Sequence, residues 1–211
     1  MMCLPLWSFS TIMIIFNYML FWFFTVMLLP LWFSFVLLLA LINAIVVRGN
    51  PFFIQQRGGF KGKVFKIFKF KSMSDLRGDD GVLLDDRFRI TKFGQFLRKS
   101  SLDELPSLFN VLLFQMTIVG PRPFISEYLD LYSAEHFKRH DVLPGITGWS
   151  QVNGRNTISW HDKFNLDLWY VENKSIKLDF KIIFLTFSKV IKMQDIDSGS
   201  DQTMPKYNGS N

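Results

Sequence analysis

Charge is absent from the first 47 residues, which contain no Asp, Glu, Lys, Arg or His, although the 211-residue chain carries 24 Lys and Arg against 18 Asp and Glu. That absence excludes an ordinary soluble opening, because the stretch far exceeds the roughly 20 apolar residues that one membrane-spanning helix requires. It is also too long, and too poor in leading basic charge, for a secretory signal peptide. Cysteine is limited to Cys3, so no disulfide framework or cysteine-rich metal site can form within one chain. Histidine is scarce: His136, His140 and His161 stand in no recognisable pattern with a nucleophile, and they read as solvent-exposed positions rather than proton shuttles. A P-loop, a dinucleotide fingerprint and a Cys/His finger are all missing.

What is present divides the chain. Residues 1–47 read as a membrane-embedded hydrophobic segment, 48–193 as one cytoplasmic domain, and 194–211 as a polar C-terminal tail. Basic residues that begin at Arg48 and crowd from Arg57 onward place the domain on the cytoplasmic side. The apolar segment makes two spans or one helix that enters, breaks and returns. Pro30, which has no backbone N–H to donate, predicts a bend at or before itself. Asn17, Ser34 and Asn43 read as local hydrogen-bonding groups.

Residues 57–99 hold 12 Lys and Arg against 5 Asp, whereas 100–211 hold 11 against 13 acidic residues. Within the basic part, "QQRGGFKGKVFKIFKFKSM" sets Phe65 and Ile67 on one parity and Val64, Phe68 and Phe70 on the other, after a Gly-Gly turn. This predicts a β-hairpin. It fits a solvated hairpin over anionic lipid, or a cradle for a polyanionic substrate. Nucleic acid is set aside as a partner, since the excess charge is confined to one short stretch beside a membrane anchor.

In "SSLDELPSLFNVL" two carboxylates, Asp103 and Glu104, stand side by side. Ser101-Leu-Asp-Glu104 matches a capping box, with Ser101 capping and Glu104 reaching back. Pro106 conflicts with that register and suits the first helical position instead, which leaves the carboxylates just before a helix N-terminus. An apolar stripe of Leu105, Leu108, Phe109, Leu112, Leu113 and Met116 follows. Adjacent carboxylates repel and do not share a helix face, so a division of labour between them is expected, with Mg²⁺ a fitting cation. Arg98 and the "VGPRP" loop around Arg122 supply guanidinium groups shaped for phosphate.

"FKIFKFKSM", "TKFGQFLRKSSLDELPSLFNVL", "IVGPRP" and "LPGITGWSQVNGRN", in this order, resemble the bacterial sugar transferases, the monotopic polyprenol-phosphate phosphoglycosyl transferases. The resemblance covers residues 48 to about 193. "ISWHDKFNLDLWYV" and "KYNG" make the chain most similar to the small members that start glycan assembly. It implies a helix-dominated α/β fold with a re-entrant membrane helix, a small β-hairpin and interfacial amphipathic helices. It implies transfer of a sugar 1-phosphate from a UDP-sugar to undecaprenyl phosphate at the cytoplasmic face of the inner membrane, with release of UMP.

By the same resemblance Asp103 is the nucleophile and a Mg²⁺ ligand, and Glu104 its catalytic neighbour. Lys69, Arg98, Arg122, Arg155 and Asp167 lie around the substrate. The lipid bilayer and downstream glycosyltransferases are the implied partners. Without the resemblance, Lys69 and Arg98 read equally well as surface charges, and Asp167 as the partner of a nearby Lys. The chain departs from the family pattern in three places: no basic residue precedes Arg48, Phe35 follows Ser34 where a Pro is usual, and Leu113-Phe114-Gln115-Met116 replaces a "KGDM"-like turn.

"IKLDFKIIFLTFSKVIKM" aligns Ile176, Phe180, Ile183, Phe184, Phe187, Val190 and Ile191 on one helical face among lysines. That stripe reads as core or as an interfacial helix on lipid. Trp149, Trp160 and Trp169 read as packing or interface anchors. The rival, non-enzymatic reading is a membrane-associated scaffold that binds anionic lipid or nucleotide-sugar through the basic patch.

Overall fold

The computed structural model describes residues 9–154, 158–192 and 206–209. Two apolar helices open the chain, α1 (Phe9–Met27) and α2 (Leu29–Val47), followed by a hairpin of β1 (Phe52–Gly58) and β2 (Val64–Phe70). Then come α3 (Asp86–Arg89), α4 (Lys92–Lys99), a 3-10 turn at Leu102–Ser107, α5 (Leu108–Leu112) and β3 (Thr117–Val119). The chain continues through α6 (Ala134–Phe137), β4 (Gly145–Thr147), α7 (Trp149–Val152), α8 (Trp160–Asn173) and α9 (Ile176–Ile191). Helices dominate, as expected, and the sheets are small: β1 and β2 pair antiparallel from Phe52↔Phe70 to Gly58↔Val64, and β3 pairs parallel with β4.

The predicted break in the apolar segment falls at Leu28. Pro30 sits in the first turn of α2, where its missing N–H costs least. The Thr25 carbonyl, next to the break, accepts the Trp32 indole N–H at 2.9 Å. Ser34 Oγ donates to the Pro30 carbonyl at 2.7 Å, a back-bond that bends helices. Leu29–Val47, at a mean hydropathy of 2.4, is long and apolar enough to cross a membrane; the neighbouring apolar stretch Ile12–Met27 is shorter.

Both helices are stitched to the rest of the chain. Asn17 donates to Asp179, Tyr18 Oη accepts the Leu143 N–H at 3.0 Å, and Trp22 Nε1 donates to the Leu112 carbonyl at 3.2 Å. Phe21 joins the core formed by Val119, Val142, Val152, Tyr170, Leu178 and Ile182. Asn43, fully buried on α2, donates to the Pro51 and Lys71 carbonyls at 2.9 Å each, tying α2 to the hairpin base. Of the three polar side chains expected to bond locally, only Ser34 does. Asn17 and Asn43 make long-range bonds, because a polar group shielded from water must find a partner wherever the packing offers one.

On α9 the predicted stripe is divided: Ile183 packs against the core, and most of its aromatic residues face outward. Leu178, Asp179 and Ile182 are buried, while Phe180, Phe184, Phe187 and Ile191 are 52–79% exposed. A core role for the whole stripe is thereby corrected, and an apolar face with lysines beside it remains. Trp160 packs in a cluster with Phe124, Tyr128, Phe164 and Tyr207, and Trp149 stacks on Trp169 at 5.1 Å. Of the predicted tail, only residues 206–209 are described, and there Tyr207 is buried with its N–H donating to Tyr128 Oη at 3.2 Å.

Candidate active site

The site is assembled on β2. Ser107 Oγ donates to the Phe68 carbonyl at 2.8 Å, and Asn110 accepts the Phe68 N–H at 3.1 Å and donates to the Lys66 carbonyl at 2.7 Å. Both side chains are buried, and they extend the β2 ladder onto the segment that carries the two carboxylates. This docking also breaks the strand alternation, so that Phe65, Ile67 and Phe70 are buried rather than one parity throughout.

Neither predicted helix start is realised. Ser101 adopts a left-handed backbone, φ 57°, and its side chain makes no cap hydrogen bond. Asp103 and Glu104 lie in the 3-10 turn, which contains Pro106, and α5 begins only at Leu108. The Glu104 side chain, instead of reaching back along the chain, accepts Lys69 Nζ at 2.6 Å and an Arg122 guanidinium N–H at 2.8 Å on the same Oε1.

Electrostatics separate the two acids. Burial by itself would raise the Glu104 carboxyl, but Arg122 and Lys69 outweigh it and hold Glu104 well below the usual carboxylate range. Burial and then the adjacent Glu104 charge push Asp103 up to about 6. No side-chain hydrogen bond to Asp103 is found among the described residues. One carboxylate is thus a fixed, fully ionised anchor, and its neighbour is a more basic, unengaged oxygen pair. The two carboxylates thus differ in their surroundings.

Lys69, Arg122 and Arg98 converge here. Gly94 makes the approach of α4 possible: a Cβ there would fall 2.0 Å from the Ser72 carbonyl oxygen. Arg98 Nε then donates to Ser72 Oγ at 2.8 Å, and the Arg98 charge acts on Asp103. Arg155 lies outside the described residues.

Asp167 is placed differently from a substrate contact. It is fully buried, with Oδ2 accepting Arg139 Nε and a terminal guanidinium nitrogen at 3.1 and 2.6 Å, and Oδ1 accepting Ser150 Oγ at 2.7 Å. Arg139 donates in turn to the Arg122 carbonyl at 2.7 Å. Asp167 is therefore linked to Arg122 through Arg139. Its ion-pair partner is Arg139, while the Asp167 charge also acts on the neighbouring Lys163.

Sequence reasoning missed Arg139, which sits in "EHFKRHD" as one more charge in a polar stretch. It also missed Arg57, whose guanidinium donates to the Pro123 carbonyl at 3.2 Å and senses the Arg122 charge. The sequence carries no local signal for either.

His140, expected in solvent, is buried. Its Nδ1 lies 2.9 Å from the Gly59 carbonyl, and its ring packs against Tyr132 and Phe137. Burial, then the Arg139 charge, push it down to about 4. Because the folded value lies below the ordinary 6.5, the neutral form is favoured by folding. That stability is complete above pH 6.5 and is lost as the pH falls toward 4, amounting to roughly 3 kcal/mol. Unfolding followed across this window should show the wild type losing that much more than His140→Gln; equal losses would contradict the buried neutral imidazole.

Among the described residues no three His, Cys, Asp or Glu side chains converge on a common point. A divalent cation at the dyad would be held by Asp103 together with substrate phosphates. Such a donor set is oxygen-only and suits Mg²⁺, which is commonly bound by one or two carboxylates plus phosphate.

The bacterial sugar transferase family profile matches residues 11–193. The chain is 50% identical over 163 residues to the uncharacterized sugar transferase EpsL of Bacillus subtilis, a match covering 77% of this chain and 81% of the relative. It is 44% identical over 152 residues to the UDP-glucose:undecaprenyl-phosphate glucose-1-phosphate transferase of Klebsiella pneumoniae, covering 67% of this chain and 33% of that protein. It is 38% identical over 164 residues to the undecaprenyl-phosphate galactose phosphotransferase of Salmonella typhimurium, covering 70% and 34%. The chain spans about a third of the length of the latter two relatives. With the profile matched over most of its length, and a relative half identical to it, the chain belongs to the bacterial sugar transferase family.

Proposed function

We propose that the chain moves a sugar 1-phosphate from a UDP-sugar to undecaprenyl phosphate and releases UMP, by way of a covalent intermediate on Asp103. The observation that carries the reading is the asymmetry of the dyad: Glu104 is locked between Lys69 and Arg122, while Asp103 is left unengaged and more basic. A carboxylate needs no proton removed before it attacks. An Asp103 oxygen forms a bond to the sugar-bearing phosphorus as the bond from that phosphorus to the bridging oxygen breaks, and UMP leaves with the electron pair. An oxygen of undecaprenyl phosphate then attacks the same phosphorus, and the acyl-phosphate bond breaks to restore the Asp103 carboxylate.

Arg122, Arg98 and Lys69 stabilise charge on the transferring phosphate, and Glu104 keeps the first and last of them in place. Asp103 and the diphosphate would hold a Mg²⁺ ion, which would supply further neutralisation of the transferring group. Replacing Arg122 by Ala should cost on the order of 1.5–3 kcal/mol of transition-state binding, roughly ten- to a hundredfold in kcat/KM, with the fold intact. UMP release measured with a panel of UDP-sugars checks this; an unchanged kcat/KM would give Arg122 a structural role only. The same panel separates the enzyme from a silent scaffold, which releases no UMP.

A lipid acceptor is supported by an apolar cavity of about 490 Å³ at the helix break, lined among others by Phe21, Phe24, Leu28, Trp32, Phe35 and Leu108. The membrane segment is read as re-entrant, with the catalytic domain and both ends of the segment on the cytoplasmic face of the inner membrane, where the dense Lys and Arg after residue 48 favour it. Downstream glycosyltransferases take the product. Cys3, the single cysteine, should react with a membrane-impermeant thiol reagent only after the cytoplasmic side is opened. Labelling from the periplasm alone would replace the re-entrant helix with a full span.

A further inference from the structure

No charged residue lies between Glu104 and Arg122, and this uncharged stretch is folded back on itself at Leu113 and Phe114. Both side chains point outward, 58% and 48% exposed. An exposed apolar turn in water ordinarily keeps backbone groups free for solvent, but here the four N–H groups are all taken. Leu113 donates to the Phe109 carbonyl at 3.0 Å, Phe114 to Val111 at 3.0 Å, and Gln115 and Met116 both to Asn110 at 2.9 and 3.2 Å. The Gln115 amide oxygen accepts Asn110 Nδ2 at 2.7 Å. The preceding carbonyl, that of Leu112, accepts the indole N–H of Trp22 on α1. A turn whose donors are all satisfied internally loses less on leaving water, which meets the donor half of the condition hydrocarbon imposes on backbone.

Phe114 also holds a left-handed backbone, φ 55°, a conformation that glycine adopts freely and a bulky residue rarely does. Its ring stacks on Trp22 at 5.4 Å with an interplanar angle of 12°. The strained residue is thus continuous with the uncharged helix α1, whose neighbouring Met19 and Phe23 are themselves exposed. A large ring retained at a glycine-like position, aimed outward and braced by a residue of the membrane segment, indicates an apolar surface that extends beyond the two helices.

We propose that the Leu113–Phe114 turn is a second membrane contact of this chain, inserted into the acyl region of the bilayer beside α1. The occupant is lipid rather than a protein partner, because the patch is uncharged, its N–H donors are taken, and it is contiguous with α1. The proposal rests on the reading of α1 and α2 as membrane-embedded. It predicts that the turn fixes the depth of the nearby dyad relative to the lipid headgroups, where a lipid phosphate would arrive.

The test uses the full wild-type chain in phospholipid nanodiscs containing a lipid with a photoactivatable diazirine on its acyl chain, with adducts located by residue-resolved mass spectrometry. Adducts on Leu113 or Phe114 at a level comparable to the exposed α2 residues Leu41 and Ile45 are expected. Adducts on Leu41 and Ile45 without any at the turn would overturn the proposal and leave the membrane reading standing. Absence of adducts from all four positions would overturn both.

Discussion

Asp103→Asn should leave the chain folded and lower sugar-phosphate transfer by on the order of a thousandfold or more. Asparagine keeps the size of the side chain but cannot form the acyl-phosphate bond. No side-chain hydrogen bond is forfeited among the described residues. Stability should hold or rise, because burial and the Glu104 charge disfavour the ionised Asp103 carboxylate in the folded state. At neutral pH that carboxylate costs the fold, a cost the proposed chemistry would explain. Thermal unfolding and UMP release measured on the same preparation check both halves. A folded variant with near-normal turnover would return the dyad to metal binding or to substrate positioning.

Asp167→Ala should lower stability by about 3–5 kcal/mol, the cost of leaving a buried charge without its partner. Arg139 and Asp167 are each almost wholly buried and ion-paired at 2.6 Å, and Ser150 would lose its acceptor as well. The loss reaches the site because Arg139 holds the Arg122 carbonyl. Replacing both partners, Arg139→Met with Asp167→Leu, should recover part of the stability but not the placement of Arg122. If Asp167 touched substrate instead, Asp167→Asn would raise KM at unchanged unfolding temperature, and that pattern would contradict the role assigned here.

The contrast between these two acids shows what the sequence could carry. Asp103 and Glu104 stood out because two adjacent carboxylates need cations, and Arg122 stands in a recognisable proline-flanked loop, whereas Lys69 on β2 and Arg98 on α4 carry no such mark. Asp167 was legible as a residue of the site's neighbourhood but not in its role, since its partner Arg139 lies in a stretch with no distinguishing pattern. The capping box failed at Ser101: that residue takes a positive φ, and Glu104 bonds to Lys69 and Arg122, partners distant in sequence that no local signal announces.

The hairpin followed from the Gly-Gly turn and the alternation up to Ile67, where docking of the dyad segment overrides it. The helix break followed from Pro30. The long-range bonds of Asn17 and Asn43 did not, because an uncharged apolar run reads as a membrane segment whether or not one of its faces is buried in protein. On α9 the sequence placed the apolar residues on one face and could not say which way that face pointed.

The central claim, a sugar phosphate carried on Asp103, is tested most directly by intact mass. The chain is incubated with a UDP-sugar and Mg²⁺ in the absence of undecaprenyl phosphate, quenched, and weighed. The account predicts a mass increase equal to one sugar phosphate, located on the peptide that contains Asp103, absent from Asp103→Asn and discharged when undecaprenyl phosphate is added. A wild-type chain that turns over with lipid acceptor yet shows no adduct under any condition, or an adduct that persists in Asp103→Asn, would contradict it.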